Sequence, residues 1–266
     1  MKLCGFITDF GNTDYFTGMM KAVIHSITSE LEIIDICHEI PSYSILPACF
    51  TLDKSYGFFP EGSIFLVVVD PGVGSKRNIL LIECENRYFI GPDNGVLTPI
   101  LIKKNKRVWT LDNPKYFLID GNSTFEARDK MSPVIAHLAN GTLPDQLASR
   151  VFQFTIEMDY LPYFYENRLK AKILYIDKFG NIMTGITTEI LNKTLSETSL
   201  KNFKIILDNY EISQFFHSYN EAGMNQYEKP FILAGSHGNL EIAMNMKSAA
   251  SELNTSIGKS VVLELY

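Results

Sequence analysis

Residues Ile64 to Val69 read IFLVVV, six apolar residues without interruption, with Gly62 just ahead and Asp70-Pro71-Gly72 directly behind. The run is too short for a helix between such turn residues. Its branched side chains suit a strand that is buried. A strand that presents no polar face belongs inside a covered sheet. Asp70 then stands at the strand's carboxyl end, where open α/β sheets place their ligands.

The neighbouring segments fit the same plan. Leu3–Thr8 reads as a short buried strand ending at Asp9 and Gly11, and Phe16–Ile27 follows with helical spacing. Ile33–Cys37 is a second strand, and Ala48–Phe58 a second helix after Pro47. Asn78–Cys84 and Arg87–Ile90 suit a hairpin turning at Glu85-Asn86, and another helix covers Pro133–Ala139 before Asn140-Gly141. Strand and helix alternating across short loops predict an α/β layer with a largely parallel or mixed sheet. After about Leu143 the pattern changes. Short strands are expected at Ala171–Ile176, Ile182–Ile186, Phe203–Leu207, Pro230–Leu233, Leu240–Ala243 and Ser260–Leu265. The expected division is an N-terminal α/β domain over 1–150, a connecting segment over 151–167 and a smaller C-terminal β domain over 168–266.

Composition narrows the function. Of 266 residues 46% are apolar and 20% charged, the proportions of a folded globular chain. A net charge of -6, with scattered lysines and arginines, predicts no nucleic-acid partner. Cys4, Cys37, Cys49 and Cys84 lie in or beside apolar runs without a C-x-x-C pair, and read as buried reduced thiols. The amino terminus lacks a secretory pattern and no apolar stretch reaches the ~20 residues of a membrane span. The expected location is the cytoplasm. The five histidines show no ligand spacing, so no metal is expected.

Six polar islands interrupt the apolar pattern. Thr8–Asp14 carries Asp9 and Asp14. A carboxylate at a strand tip accepts two hydroxyl hydrogen bonds, as acids that read a ribose diol do, although Asp14 equally suits a helix cap. Val69–Arg77 is glycine-rich but has neither a P-loop nor a G-x-G-x-x-G spacing. Its Asp70 and Arg77 lie far enough apart to meet across the loop, as a brace or as a pair that positions water. Gly91–Gly95 has a turn composition. The loop from Asn122 to Asp129 precedes a helix that Ser123 or Thr124 suits as a cap. Asp177–Asn181 and Gly235–Asn239 each join two strands, and an aromatic ring beside an amide also suits a purine.

In this order the islands resemble the S-adenosylmethionine (SAM) hydroxide adenosyltransferases, relatives of the fluorinases and chlorinases. The resemblance is carried by TDFGNTDYFTGMMKAVI from Thr8, FFPEGSIFLVVVDPGVGSKR from Phe58, GPDNG from Gly91, STFEARD from Ser123, DKFGNIMTGI from Asp177 and GSHGNLEIAMN from Gly235. It implies a C-terminal β-barrel-like domain and a homotrimer with sites between the N-terminal domain of one subunit and the C-terminal domain of the next. It implies that Asp9 holds the ribose hydroxyls, that Asp14 assists in holding the substrate and that Phe125 is a further substrate-binding residue. Phe179 and Tyr219 would sandwich adenine with Asn181 at its edge, and Asp177 and Ser236 would hold the methionine. Asp70 and Arg77 match two of three water-orienting residues. The third, a histidine in the family's STFHGRD, is Glu126 here, and Ala127 replaces a glycine. His237 stands where the family has a small residue or an arginine. The activity implied is hydrolysis of SAM to adenosine and methionine, without metal or cofactor. The alternatives are a SAM-dependent halogenase and a non-catalytic SAM-binding or sensing protein.

Overall fold

Seven strands form the sheet of the first unit: β1 (Lys2–Thr8), β2 (Leu31–Cys37), β3 (Ile64–Val68), β4 (Ile79–Cys84), β5 (Arg87–Pro92), β6 (Lys106–Thr110) and β7 (Ser149–Arg150). The computed structural model describes residues 2–121, 123–165, 168–198, 200 and 202–266. Asn122, at the start of the fourth polar loop, and Glu166 and Asn167, at the end of the expected connecting segment, lie outside the described residues. The chain divides into two compact units, Met1–Glu157 and Met158–Tyr266.

The strand order is β2-β1-β3-β5-β4-β6-β7. β2, β1, β3 and β5 run parallel, and β4, β6 and β7 add antiparallel pairings. The helices are α1 (Phe16–Ile27), α2 (Ile45–Ser55), α3 (Thr98–Leu101), α4 (Ser132–Ala139) and α5 (Pro144–Leu147). The uninterrupted apolar run of β3 is explained by burial on both sides. Ile64, Leu66 and Val68 join the core under α1 and α4, whereas Phe65 and Val67 join the core under α2 and α3. At Gly91 of β5 a Cβ would lie 2.6 Å from the Val67 carbonyl oxygen, so only glycine allows that approach. The β4–β5 turn uses Glu85 (φ 51°) and Asn86 (φ 56°), the paired left-handed conformation of a two-residue hairpin. Within the segment read as a connector, Val151, Phe154 and Ile156 pack on the first unit's core, on the face of α2.

The second unit holds β8 (Tyr163–Tyr165), β9 (Arg168–Ile176), β10 (Ile182–Thr187), β11 (Phe203–Leu207), β12 (Tyr210–Ile212), β13 (Phe231–Ala234), β14 (Asn239–Ala243) and β15 (Ser260–Leu265). Their order is β12-β11-β15-β9-β10-β14-β13, with β8 also on β9. The chain leaving β12 at one edge returns to β13 at the other. Ile232 donates to the Gln214 carbonyl at 2.8 Å, and Phe216 donates to the Ile232 carbonyl at 2.9 Å. The sheet is thereby nearly closed, a barrel-like form that leaves little free edge. Helices α6 (Thr188–Ser196), α7 (Tyr219–Met224) and α8 (Ala249–Glu252) sit in its connections.

Candidate active site

The chain leaves β1 for β2 on one side, then crosses to β3 on the other. The strand order therefore reverses between β1 and β3, and a crevice opens beyond their carboxyl ends. Asp9 follows β1 and Asp70 follows β3, so both carboxylates stand at this switch point. They line a cleft of about 310 Å³ together with Asp14, Phe125 and Glu126. That volume lies within the range of small-molecule sites.

Asp9 is half-buried and accepts the Tyr43 amide at 2.9 Å. Burial pushes its carboxyl above the usual range, against the pull of that hydrogen bond. Asp14 is exposed and lines the same cleft. It does not stand at the cap of α1: the residue at the cap position is Tyr15, whose side chain makes no cap hydrogen bond. Phe125 stands edge-on to Phe10 at 5.9 Å and to Phe16 at 5.2 Å, so three rings form an apolar wall.

The centre of the cleft is ionic. Arg77 Nε donates to Asp70 at 2.8 Å, and a terminal nitrogen reaches both the other Asp70 oxygen and Glu126 Oε2, the latter at 2.5 Å. Glu126 Oε1 takes Lys130 at 2.6 Å. All three members of the expected water-orienting set are thus in contact, with Arg77 clamping the two carboxylates. Burial raises the Glu126 carboxyl, but the Lys130 hydrogen bond and the Arg77 charge outweigh it and hold the group below the usual range. The same two carboxylates push the Arg77 guanidinium up despite its burial. Arg128 does not reach for Glu126. It pairs with the buried Asp129 at 2.6 Å.

Local structure accounts for these placements. Ala127–Met131 forms a π-helical turn running into α4, the wide turn that recurs at functional sites. Ser123 accepts the Phe125 amide and donates to Asp129, so the loop is stapled before the turn begins. Ser123 does not cap the helix as its sequence suggests: Glu126 holds the cap position without a side-chain cap hydrogen bond, and Ser123 instead closes a tight turn ahead of it, while Thr124, Phe125 and Glu126 line the cleft. In Gly91–Gly95, Asn94 donates to the Val69 carbonyl at 2.8 Å and steadies the residue before Asp70. That island is a brace. Gly74 adopts φ 78° inside the Asp70–Arg77 loop.

The remaining expected residues belong to the second unit. Asp177 accepts the amides of Phe179 and Asn181 and the Asn181 side chain, each at 2.9 Å. It therefore orders its own turn and presents Phe179, which is 66% exposed. Asn181 is buried. Tyr219, 45% exposed, begins α7 and gives its hydroxyl to the buried Glu241; desolvation first, and that carboxylate second, push the phenol up. His237 lies 3.3 Å from the same Glu241, and Ser236 is exposed. Sequence reasoning missed Glu241, Lys130, Tyr43 and the rings Phe10 and Phe16. An i, i+4 pairing of Glu126 with Lys130 was the one legible signal among them.

A crevice at the switch point of an α/β sheet, lined by acceptor carboxylates and aromatic rings, defines a protein that binds a small molecule bearing hydroxyl groups or positive charge. The particular family follows from comparison. The chain belongs to the SAM hydroxide adenosyltransferases: residues 4–148 match the N-terminal domain of that family and residues 171–262 its C-terminal domain. It is 33% identical to an (R)-S-adenosyl-L-methionine hydrolase of Methanocaldococcus jannaschii, over 93% of this chain and 90% of the relative. It is 29% identical to one of Thermus thermophilus, over 99% and 100%. A solved structure of an uncharacterized conserved protein from Thermotoga maritima superposes with a TM-score of 0.84 at 28% identity, covering 98% of this chain and 99% of that one.

Proposed function

We propose that this chain hydrolyses S-adenosyl-L-methionine to adenosine and L-methionine. The observation that carries the reading is the cluster of Asp70, Arg77 and Glu126 at the switch-point cleft, in a chain similar over its length to two SAM hydrolases. Water attacks the ribose 5′ carbon opposite sulfur. The new bond is carbon to oxygen, the carbon–sulfur bond breaks, and its electron pair leaves with sulfur as the neutral thioether of methionine. The water proton passes to solvent. Ionised carboxylates are acceptors only, so Asp70 and Glu126 take the water's hydrogens and turn its oxygen outward. The sulfonium is already a good leaving group, so the proposed reaction uses no metal and no cofactor. Asp9 takes the ribose hydroxyls, with Asp14 and Phe125 beside it. Phe179, Tyr219 and Asn181 take adenine, and Asp177 and Ser236 the methionine end.

Two carboxylates at the water position disfavour a halide nucleophile, which they would repel. The reading includes a homotrimer with intersubunit sites and a cytoplasmic location. Among the described residues no helix is long and apolar enough to cross a membrane. Incubation with each sulfonium epimer of SAM, followed by chromatography, is expected to yield adenosine, chiefly from the (R) epimer for which both relatives are named. Binding by calorimetry without product would establish a sensor instead. A chlorinated nucleoside in the presence of chloride would establish a halogenase.

A further inference from the structure

Lys130 belongs to none of the motifs that single out the site, yet it completes the ionic cluster. Its ammonium sits 2.6 Å from Glu126 Oε1 while Arg77 holds Oε2, so each oxygen of the carboxylate has its own cation. Both side chains are largely enclosed, Lys130 at 17% and Glu126 at 9% exposure. The Phe117 ring lies 5.9 Å from the ammonium and supports it from another side. Two carboxylates, Asp70 and Glu126, thus face two cations, Arg77 and Lys130. Remove the lysine and two like charges must share one guanidinium. One of them then gains a proton more readily. A protonated carboxyl donates where a carboxylate only accepts, and so loses an acceptor site for the water's hydrogens.

We propose that Lys130 is a positioning residue for the hydrolysis, one that fixes the orientation of the Glu126 carboxylate and keeps it ionised beside Asp70. The proposal rests on the hydrolase reading. Glu126 stands at the cap position of the π turn and Lys130 within it, so the two, four residues apart, fall on one side and pair. The charged groups facing Glu126 are Arg77 and Asp70 from the loop after β3 and Lys130 from the turn. Asp9 and Asp14 line the same cleft after β1. Arg128 and Asp129 pair with each other.

The test separates ionisation from turnover. Ligand-free protein carrying carbon-13 glutamate is titrated by NMR, with the Glu126 carboxyl signal assigned from Glu126→Gln. In Lys130→Met and Lys130→Gln the Glu126 midpoint is expected to rise above the wild-type value, and in Lys130→Arg to stay low. The acid limb of adenosine release should move upward with it, so that below the limb kcat falls about tenfold for every pH unit the limb has moved. KM should stay within about twofold of wild type. Lys130→Gln, a smaller change, carries the test if Lys130→Met does not fold. A midpoint unmoved in both variants overturns the assignment, as does a lowered melting temperature with an unmoved pH profile. A wild type that releases no adenosine overturns the hydrolase reading, and with it the part of Lys130 in turnover, whatever the titration shows.

Discussion

At position 126 a carboxylate occupies the place where the family pattern STFHGRD has an imidazole, and its surroundings are built for the carboxylate. Arg77 and Lys130 satisfy both oxygens. Truncation leaves two half-buried cations facing one anion, and removing one partner of an enclosed ion pair is destabilising. Glu126→Ala is expected to reduce kcat for adenosine release by about 10²-fold, the order that lost positioning of a reactant costs, and to lower the melting temperature. Glu126→His should retain release, because two neighbouring cations hold the imidazole neutral and able to accept from water. Steady-state kinetics of the two variants decides both. Asp9→Ala is expected to raise KM more than it lowers kcat, since hydrogen bonds to a charged acceptor are worth about 1.5–3 kcal/mol. An unchanged KM removes Asp9 from the ribose. Acid stability belongs to this scale too. Glu126 and the buried Asp129 are both held below the usual carboxylate range, Asp129 by Arg128 and Ser123 against its own desolvation. A depressed folded value adds stability above the unfolded value, near 4, and loses it as pH falls through the folded value. Urea midpoints should therefore hold from pH 7 to about 5 as far as these groups are concerned and fall below about 4. Asp129→Asn should shrink that fall.

Among the elements, those with strong local signals lie where the sequence places them. Phe16–Ile27 carries an apolar stripe and ends where Thr28 turns extended. Glu85-Asn86 makes its hairpin because both residues tolerate positive φ in a two-residue turn. Helix α6 was hidden among strands. Its Ile190, Leu191, Thr194 and Leu195 repeat at helical spacing, and Thr187 caps it, but the branched residues around it suggest a strand. The short strands β7, β8 and β12 carry too few residues for alternation to register, and β6 opens on Lys106 and Arg107, which mask its short apolar part. The π turn at Ala127–Met131 has no sequence signature, since it arises where one residue is accommodated in the run into α4. The turn after β9 offers a sharp test. Gly180 has φ 84°, and a Cβ there would overlap the Ser248 side chain, 2.0 Å from its Oγ. Gly180→Ala is expected to destabilise the protein by about 2–4 kcal/mol in urea unfolding. It should also weaken substrate binding, because the same turn presents Phe179.

For the whole molecule, the prediction concerns assembly. The proposed homotrimer should sediment at three times the chain mass of 30.1 kDa, with activity in that species. A monomer of full activity ends it. The sequence by itself determined the class of each unit: IFLVVV demanded a covered strand, and the alternation around it an α/β layer. It also determined that Asp9 and Asp70 lie at strand ends, because a polar residue that closes an apolar run can only leave the sheet there. Tertiary structure decided what those residues meet. Arg77 and Glu126 are 49 residues apart. Their contact depends on β3 lying beside β1 and on a π turn beyond it. Closure of the second sheet through Gln214, Phe216 and Ile232 is of the same kind. Periodicity records which side of an element is apolar. Strand order and the pairing of distant charges depend on how those apolar sides are shared, and no local stretch of chain carries that information.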